Sequence, residues 1–332
     1  MSGPLQSLIR QSFGEGARRW AGRSPRFAAL CAGLAESRAL LALIQTYARV
    51  TAVQVPPVDS VLAGLHRVAL AGDAPDLATQ FQSSHLDEAA LIAAAEGALE
   101  AQSTDLLDAL LTPPPPPADP ADGVALAAAT RLLAERWGGG FSLVELGGGS
   151  GLPLRFDQWT YADLAGPFPP IVGRYGLSDN TLDLSSPGDL LWAAAQLAPE
   201  EREAAARLQA AAAALPGLPT ISQRRGDPAY DLLPLLLEAY AAMEPGNTLL
   251  LFSLWHWQTM TGAEQQAATH ALQRLAGRLE PQKFLAFLQL DHFTPEGAPA
   301  ELRLQTFHWR DPEERSVERL ATYANRRVGW LS

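Results

Sequence analysis

Apolar residues recur at helical spacing through the first third of the chain, and after the proline run at 113–117 the pattern changes. Before that run the spacing of three and four residues predicts helices only, with Ser24-Pro25 as a helix start and 85–111 as one helix or two. Beyond it, helical stretches alternate with apolar runs of strand length. This alternation predicts an α/β region in which helices cover both faces of a mostly parallel sheet.

The alternating region contains seven predicted strands and four longer predicted helices. The strands are 141–146, 170–173, 220–222, 248–253, 284–290, 302–308 and 317–323, and the helices are 121–137, 190–215 with an interruption near Pro199, 230–243 and 263–279. A short polar connection separates the last two strands, so we expect them to form a C-terminal antiparallel hairpin.

Five consecutive prolines mark the boundary between these two patterns. Because proline interrupts helices and central strands, the run predicts a stiff extended spacer. We therefore predict a helical domain at 1–112, a proline-rich linker at 113–120 and a sheet-containing domain at 121–332.

Composition restricts the partners of the protein. The 332 residues are 47% hydrophobic and 18% charged, with a formal net charge of −11. A chain this acidic, without a basic cluster, repels phosphate backbones and anionic lipids, which argues against nucleic-acid and membrane partners.

The one cysteine, Cys31, excludes intramolecular disulfides and multi-cysteine metal sites, and the Asp/His spacing predicts no metal site. No apolar run reaches membrane-spanning length, so we expect a cytoplasmic protein; its oligomeric state stays open.

The most distinctive motif is the glycine-rich turn after the first predicted strand. Glu145 precedes Gly147, Gly148, Gly149 and Gly151, and a short helix is expected to follow. Residues without a Cβ let a ligand approach the backbone, and N–H groups at a helix start attract a negative group. The dinucleotide fingerprint Gly-x-Gly-x-x-Gly fails, because its third position is Leu152 or Leu154. A phosphate-binding loop of the Walker type fails because no lysine follows.

The spacing Glu-x-Gly-x-Gly-x-Gly resembles the first motif of Rossmann-like methyltransferases that use S-adenosylmethionine (AdoMet). It is formed by Glu145, Gly147, Gly149 and Gly151. The resemblance implies a Rossmann-like methyltransferase-type sheet after an all-helical domain, with AdoMet as cofactor and Glu145 beside its methionine moiety. The segment 145–159 also resembles an uncharacterised bacterial family, and a looser resemblance to that family extends over most of the chain. The sequence departs from that family at Gly149 and Pro153, where the family has serine and asparagine.

Further candidate residues follow the other predicted parallel strands, where ligands of doubly wound sheets bind. They are Asp179, Asp227, His256, Asp291 and His292. The resemblance assigns Asp179 to the ribose hydroxyls and Asp227 to the adenine amino group, although capping of local N–H groups explains either acid equally. His256 is the candidate general base, with a packed aromatic cap as the alternative for its segment, and Asp291 with His292 is a second candidate acid/base pair.

These features predict an AdoMet-dependent methyltransferase that acts on a small molecule, with the helical domain as lid or substrate domain. The alternative is a non-catalytic protein that keeps the fold and the ability to bind a nucleoside. A nicotinamide oxidoreductase is disfavoured by the missing third glycine. We also expect Gly149→Val to abolish AdoMet binding while leaving the fold intact.

Overall fold

The computed structural model describes residues 3–112, 119–161, 164, 166–291, 300–307, 315–324 and 327–330. The chain forms two compact units. The first, called the helical unit here, comprises Met1–Pro117 and Leu184–Ala206, and the second, the sheet unit, comprises Ala118–Asp183 and Arg207–Ser332. The helical unit therefore also contains an internal segment that lies far along the chain from the N-terminal helices. The proline run lies outside the described residues.

The predicted alternation of helices and strands is present in the described residues. The helices are α1 (Pro4–Trp20), α2 (Pro25–Leu34), α3 (Arg38–Val50), α4 (Val58–Ala71), α5 (Pro75–Gln82), α6 (Glu88–Ala101), α7 (Ser103–Leu111), α8 (Gly123–Trp137), α9 (Pro187–Ala195), α10 (Arg202–Ala214), α11 (Pro228–Ala241) and α12 (Gly262–Ala276). The strands are β1 (Phe141–Leu146), β2 (Ile171–Ser178), β3 (Ser222–Arg225), β4 (Thr248–Leu254), β5 (Phe284–Asp291), β6 (Ala300–Phe307), β7 (Arg315–Ala324) and β8 (Arg327–Trp330). The stretch at 85–111 forms two helices, α6 and α7.

The helical unit packs α1–α7 around an apolar core. Ser24 caps α2 as predicted, because its Oγ accepts a hydrogen bond from Phe27 N at 3.1 Å. The aromatic part of this core contains Phe27, Phe81 and the buried His66, whose rings meet edge to face. These contacts join α2, α4 and α5.

Buried polar contacts attach the internal segment to the N-terminal helices. Glu200 Oε1 accepts hydrogen bonds from Arg26 N at 3.1 Å and from Arg26 Nη1 at 3.0 Å, and Glu200 Oε2 accepts one from Ser24 Oγ at 2.5 Å. His66 Nδ1 lies 2.9 Å from the carbonyl oxygen of Leu197. Leu184–Ala206, in the middle of the connection between β2 and β3, is thereby part of the helical unit.

The sheet unit is built on an eight-stranded sheet in the order β3-β2-β1-β4-β5-β6-β7-β8. The pairs from β3 to β5 are parallel, and the pairs from β5 to β8 are antiparallel. The order 3-2-1-4-5 is that of a doubly wound sheet. The predicted C-terminal hairpin is confirmed as β6–β7, and β8 adds a third antiparallel strand that the sequence pattern did not predict.

The central strands are buried on both faces, which explains why most of their residues are apolar. In β1, Phe141 and Leu143 face the core shared with α8, while Val144 and Leu146 face the core shared with α11 and α12. Alternate side chains of a strand point to opposite faces, so a run such as Leu249–Phe252 contributes to both cores.

Three predicted elements differ from the structure. β2 continues to Ser178, beyond the predicted end at 173, and β3 begins at Ser222, where the prediction ended. The glycine-rich turn leads into a six-residue 3-10 helix, Pro153–Gln158, which is kinked at Arg155. The β2 and β3 sequences are polar and glycine-containing, so side-chain pattern alone places their ends poorly, because strand ends depend on pairing with neighbours.

In the described part of the chain no single helix has the length and apolarity needed to cross a bilayer. The bent pair α2 and α3, which meet at 81°, passes that test only when both helices are taken together. Their apolar side chains are buried in the core of the helical unit.

His66 predicts an acid-dependent loss of stability. Burial lowers the pKa of His66, and the carbonyl oxygen of Leu197 opposes this effect less strongly. As the pH falls below about 6.5, the His66 side chain becomes protonated in the unfolded chain but not in the folded chain. The free energy of unfolding therefore falls as the pH drops through and below that value.

We expect His66→Gln to flatten the dependence of the free energy of unfolding on pH between about pH 7 and about pH 5, by at most about 1.4 kcal/mol per pH unit. Thermal and urea unfolding across this range measure the slope. His85→Gln, which changes an exposed histidine, is the matched control and should keep the wild-type slope. Equal slopes for wild type and His66→Gln would contradict the assignment.

Candidate functional site

The sheet unit carries the described candidate residues at the carboxyl edge of its parallel strands. Glu145 and the glycine-rich turn end β1, Asp179 follows β2 directly, Asp227 lies two residues after β3, His256 lies two residues after β4, and Asp291 is the last residue of β5. The strand order reverses between β1 and β4, and ligands of doubly wound sheets bind at such a reversal. His292 lies outside the described residues.

The turn after β1 packs tightly against its neighbours. Gly147 has φ +87°, and a Cβ there would lie 1.9 Å from Cδ2 of His256. A Cβ on Gly149 would lie 2.2 Å from the backbone oxygen of Asn180, and Leu182 N donates to the oxygen of Gly149 at 2.9 Å. The glycines are therefore required by contacts within the protein itself.

This packing corrects the expectation for Gly149→Val. The substitution would push a side chain into the backbone after β2, so the turn would be displaced whether or not it binds a ligand. Loss of AdoMet binding in this variant would not identify a cofactor site. The 3-10 helix after the turn also has too few aligned N–H groups for the anion attraction that a full α-helix start provides.

Glu145 is a fully buried carboxyl group at the end of β1. Its Oε2 has no hydrogen-bond partner, and its Oε1 lies against Gly148, where a Cβ would approach to 1.8 Å. Burial raises the pKa of Glu145 well above 4.5, and the positive charge of Arg155 opposes this only partly. Burial therefore favours the protonated, neutral form of Glu145.

His256 lies over Gly147 with a defined hydrogen-bond pattern. The hydroxyl of Thr259 donates to the backbone oxygen of His256 at 2.7 Å, which leaves the hydroxyl oxygen to accept from His256 Nδ1 at 3.1 Å. The proton of the neutral ring is thus on Nδ1, and Nε2 keeps its lone pair. Burial lowers the pKa of His256, while the nearby charges of Asp179, Glu264 and Asp291 raise it by less. The ring is an unprotonated acceptor at neutral pH.

The segment that carries His256 is held by its neighbours. Trp255 has φ +62°, which is unfavourable for a bulky residue, and its Nε1 donates to Asp122 Oδ2 at 3.2 Å. Asp291 Oδ2 accepts from Gln258 N at 2.9 Å, so this acid positions the turn after β4. The indole of Trp257 packs on Phe287 with ring centroids 5.2 Å apart. The aromatic cap and the histidine acceptor are therefore both present.

The two remaining acids have different surroundings. Asp179 is exposed directly after β2. Asp227 caps α11, since its Oδ1 accepts from Ala229 N at 2.7 Å, while its own N donates to Asp231 Oδ2 at 2.8 Å. The capping alternative is thus confirmed for Asp227. Its second carboxylate oxygen makes no hydrogen bond to the described residues.

Sequence reasoning missed three polar side chains at this edge. Arg155 and Gln223 flank Gly151: a Cβ on that glycine would lie 3.6 Å from both Arg155 Nη1 and Gln223 Oε1. Thr259 fixes the His256 tautomer. Arg155 lies within the motif segment 145–159, and its charge is visible in the sequence there. Gln223 can be placed at this edge only when the start of β3 is known. Within the described residues, no group of three or more His, Cys, Asp or Glu side chains could hold a metal ion.

The buried acid predicts an unusual dependence of stability on pH. The folded chain keeps the Glu145 proton above pH 4.5, where the unfolded chain has released it, so this residue makes stability fall as the pH rises from about 4.5 towards its folded-state pKa. Glu145→Gln should remove the effect, which amounts to at most about 1.4 kcal/mol per pH unit.

Unfolding of wild type and Glu145→Gln from about pH 5 to about pH 8 measures this difference. We expect the variant to gain stability relative to wild type as the pH rises. Glu135→Gln, at an exposed position on α8, serves as the control with a wild-type slope. A constant difference between wild type and Glu145→Gln across the range would show that Glu145 is ionised in the folded protein.

Comparison with known proteins agrees with the resemblance to a bacterial family. The family described as "Uncharacterized protein conserved in bacteria (DUF2332)" matches residues 10–168 and 159–330. No curated protein and no solved structure matches the chain. Because the family match spans well over half of the sequence, the chain belongs to this family of bacterial proteins.

Proposed function

We propose that the carboxyl edge of β1–β5 binds AdoMet and that the protein is a methyltransferase for a small molecule. The observation that carries this proposal is the convergence of Glu145, Asp179 and His256 around the reversal of strand order between β1 and β4. This edge combines a buried carboxyl group, an exposed carboxylate and an imidazole. AdoMet, which has a nucleoside and a charged amino-acid end, needs polar partners of several kinds.

The residues present fit the groups of AdoMet. Asp179 is an exposed carboxylate directly after β2, suited to accept hydrogen bonds from two ribose hydroxyls. The second carboxylate oxygen of Asp227 is suited to an adenine amino group. The unpartnered Oε2 of Glu145 is a buried acceptor suited to a cationic group, whose arrival would favour ionisation of the acid.

AdoMet, when bound, supplies a methyl group on an electron-poor sulfonium sulfur. The role of His256 is to accept a proton at Nε2 from an oxygen or nitrogen nucleophile of the second substrate. The Thr259 hydroxyl fixes the ring so that Nε2 carries the lone pair, and burial keeps the ring unprotonated at neutral pH. Trp255 and Asp291 hold the backbone around it.

The packing of the turn favours a second candidate function. Gly147 and Gly149 already contact protein atoms, and the turn is not followed by an α-helix. A non-catalytic protein that retains the fold and binds a nucleoside would tolerate such a closed turn. Binding and methyl transfer therefore need separate measurements.

Binding is tested by thermal unfolding with AdoMet, its product S-adenosylhomocysteine, NAD, or buffer alone. A ligand at about 100 times its Kd adds about 2.7 kcal/mol, so we expect the AdoMet pair to raise Tm by several degrees and NAD to leave it unchanged. Asp179→Asn should weaken binding by about tenfold or more, since it removes a charged acceptor. Asp76→Asn, at an exposed site on α5, is the control. Absence of any shift with the AdoMet pair would contradict the proposal.

Catalysis is tested by transfer of a labelled methyl group from AdoMet to a mixture of bacterial small molecules. Transfer by wild type that falls by about 10²–10⁴-fold in His256→Asn, with unchanged AdoMet affinity, would support His256 as the base. Binding without transfer would favour the non-catalytic function. Transfer that is unaffected in His256→Asn would remove this residue from the mechanism.

A further inference from the structure

A groove of about 420 Å³ opens on the surface of the helical unit and is lined by residues of α3, α6 and α7. The side chains of Leu43 and Leu99 are buried and form its floor, and Leu107 is half-buried beside them. Ala39 and Ala42 of α3 leave the space above this floor open, because their side chains end at Cβ. Ligand sites in proteins have volumes of about 300 to 1,000 Å³, so the groove has the size of a site for a small molecule.

The charge around this groove is negative. Of the described residues that line it, Glu100 alone is charged, and no described residue forms an ion pair or a hydrogen bond with its carboxylate. The arginines of α3, Arg38 and Arg49, do not line the groove. Helices α5–α7 and their connections, residues 75–111, contain no lysine or arginine. The acids of this stretch are Asp76, Asp87, Glu88, Glu96, Glu100, Asp105 and Asp108. The groove therefore attracts cations and repels anions.

Two hydroxyl groups belong to the same part of the groove as this carboxylate. Ser103 and Thr104 follow Glu100 by three and four residues, and both line the groove. Neither hydroxyl has a hydrogen-bond partner among the described residues. Thr46 on α3 differs, because its hydroxyl donates to the oxygen of Ala42 at 3.0 Å. A primary ammonium group has three N–H donors, and one carboxylate together with two hydroxyl oxygens supplies three acceptors.

We propose that this groove binds a small molecule that has a primary ammonium group on an apolar body. Glu100 pairs with the ammonium, and the hydroxyls of Ser103 and Thr104 accept its other hydrogen bonds. The apolar body covers the leucine side chains of the floor. Burial of apolar surface then supplies most of the binding free energy, and the carboxylate supplies the selectivity for a cation. The site lies within the helical unit and is independent of the proposed AdoMet site.

The test uses 4-phenylbutylamine, 4-phenylbutanol and 4-phenylbutyrate, which share one apolar body and differ in charge. Ala39 and Thr46, the first and last α3 residues that line the groove, are about 10 Å apart along the helix axis, which is close to the length of this body. Ligand-observed NMR spectroscopy with the whole chain measures Kd. We expect the amine to bind at least about threefold more tightly than the alcohol, and we expect no binding of the butyrate at millimolar concentration.

Glu100→Gln should make the Kd of the amine equal to that of the alcohol, because the substitution removes the negative charge and keeps the shape of the side chain. The Kd of the alcohol should stay as in wild type. Glu88→Gln, at an exposed position of α6 that does not line the groove, is the matched control and should keep the wild-type ratio of the two Kd values. Equal Kd values for amine and alcohol in wild type would overturn the proposal, and so would an equal loss of amine binding in the two variants.

Ala42→Trp tests the location of the site. Ala42 is exposed and lines the groove, so an indole at this position fills the groove without entering the core. Binding of the amine and of the alcohol should both be lost, while circular dichroism and Tm show that the variant is folded. Ala93→Trp, at an exposed position of α6 outside the groove, is the control and should keep both Kd values. Wild-type affinity for the amine in Ala42→Trp would place the site elsewhere and overturn the proposal.

Sedimentation of wild type and Ala42→Trp tests a different occupant of the groove, which is a second copy of the chain. We expect the two proteins to sediment alike. A wild-type dimer that Ala42→Trp dissociates would show that a second copy covers the groove, and this would overturn the proposal. Absence of amine binding to wild type at millimolar concentration would overturn it as well. These measurements involve no AdoMet, so their failure and the failure of the proposed function are distinguishable.

Discussion

The close approach of the β1 turn to the segments that follow β2 and β4 is the constraint on which the candidate site depends. Gly147 admits the imidazole of His256, and Gly149 admits the backbone of Asn180, at distances that any Cβ would prevent. This approach holds the ends of three neighbouring strands together around Glu145. It also makes the acid inaccessible to water, and burial is the largest cause of its raised pKa. The tight packing of the turn is therefore also the main cause of the raised pKa of Glu145.

Charge at this edge is distributed in an uneven way. Arg174 and Asp157 satisfy each other completely, whereas Arg155 and Glu145 influence each other without a hydrogen bond between them. Burial and the charge of Arg174 lower the pKa of Arg155, and the charge of Glu145 raises it.

The sequence predicted correctly the elements whose apolar residues recur regularly. It misplaced strand ends that depend on hydrogen-bond pairing with neighbouring strands. The limits of β1 were correct because glycines bound a short, mostly apolar run, and the capping pair Ser24-Pro25 placed the start of α2. β2 and β3 were misplaced because residues such as Gly176 and Gln223 are strand residues only by virtue of their neighbours. That error hid the position of Asp179 directly after β2 and the alignment of Glu145, Gly176 and Gln223 across β1, β2 and β3.

By itself, the sequence determined the all-helical first third, the parallel α/β region, the glycine turn after β1 and the bacterial family, since periodicity and motif spacing are local properties. Only the tertiary structure decided that Leu184–Ala206 belongs to the helical unit, through Glu200 and Leu197, and that the turn packs against His256. It also decided which of the polar residues lack partners. Burial and register join residues far apart in the chain, and no local pattern contains that information.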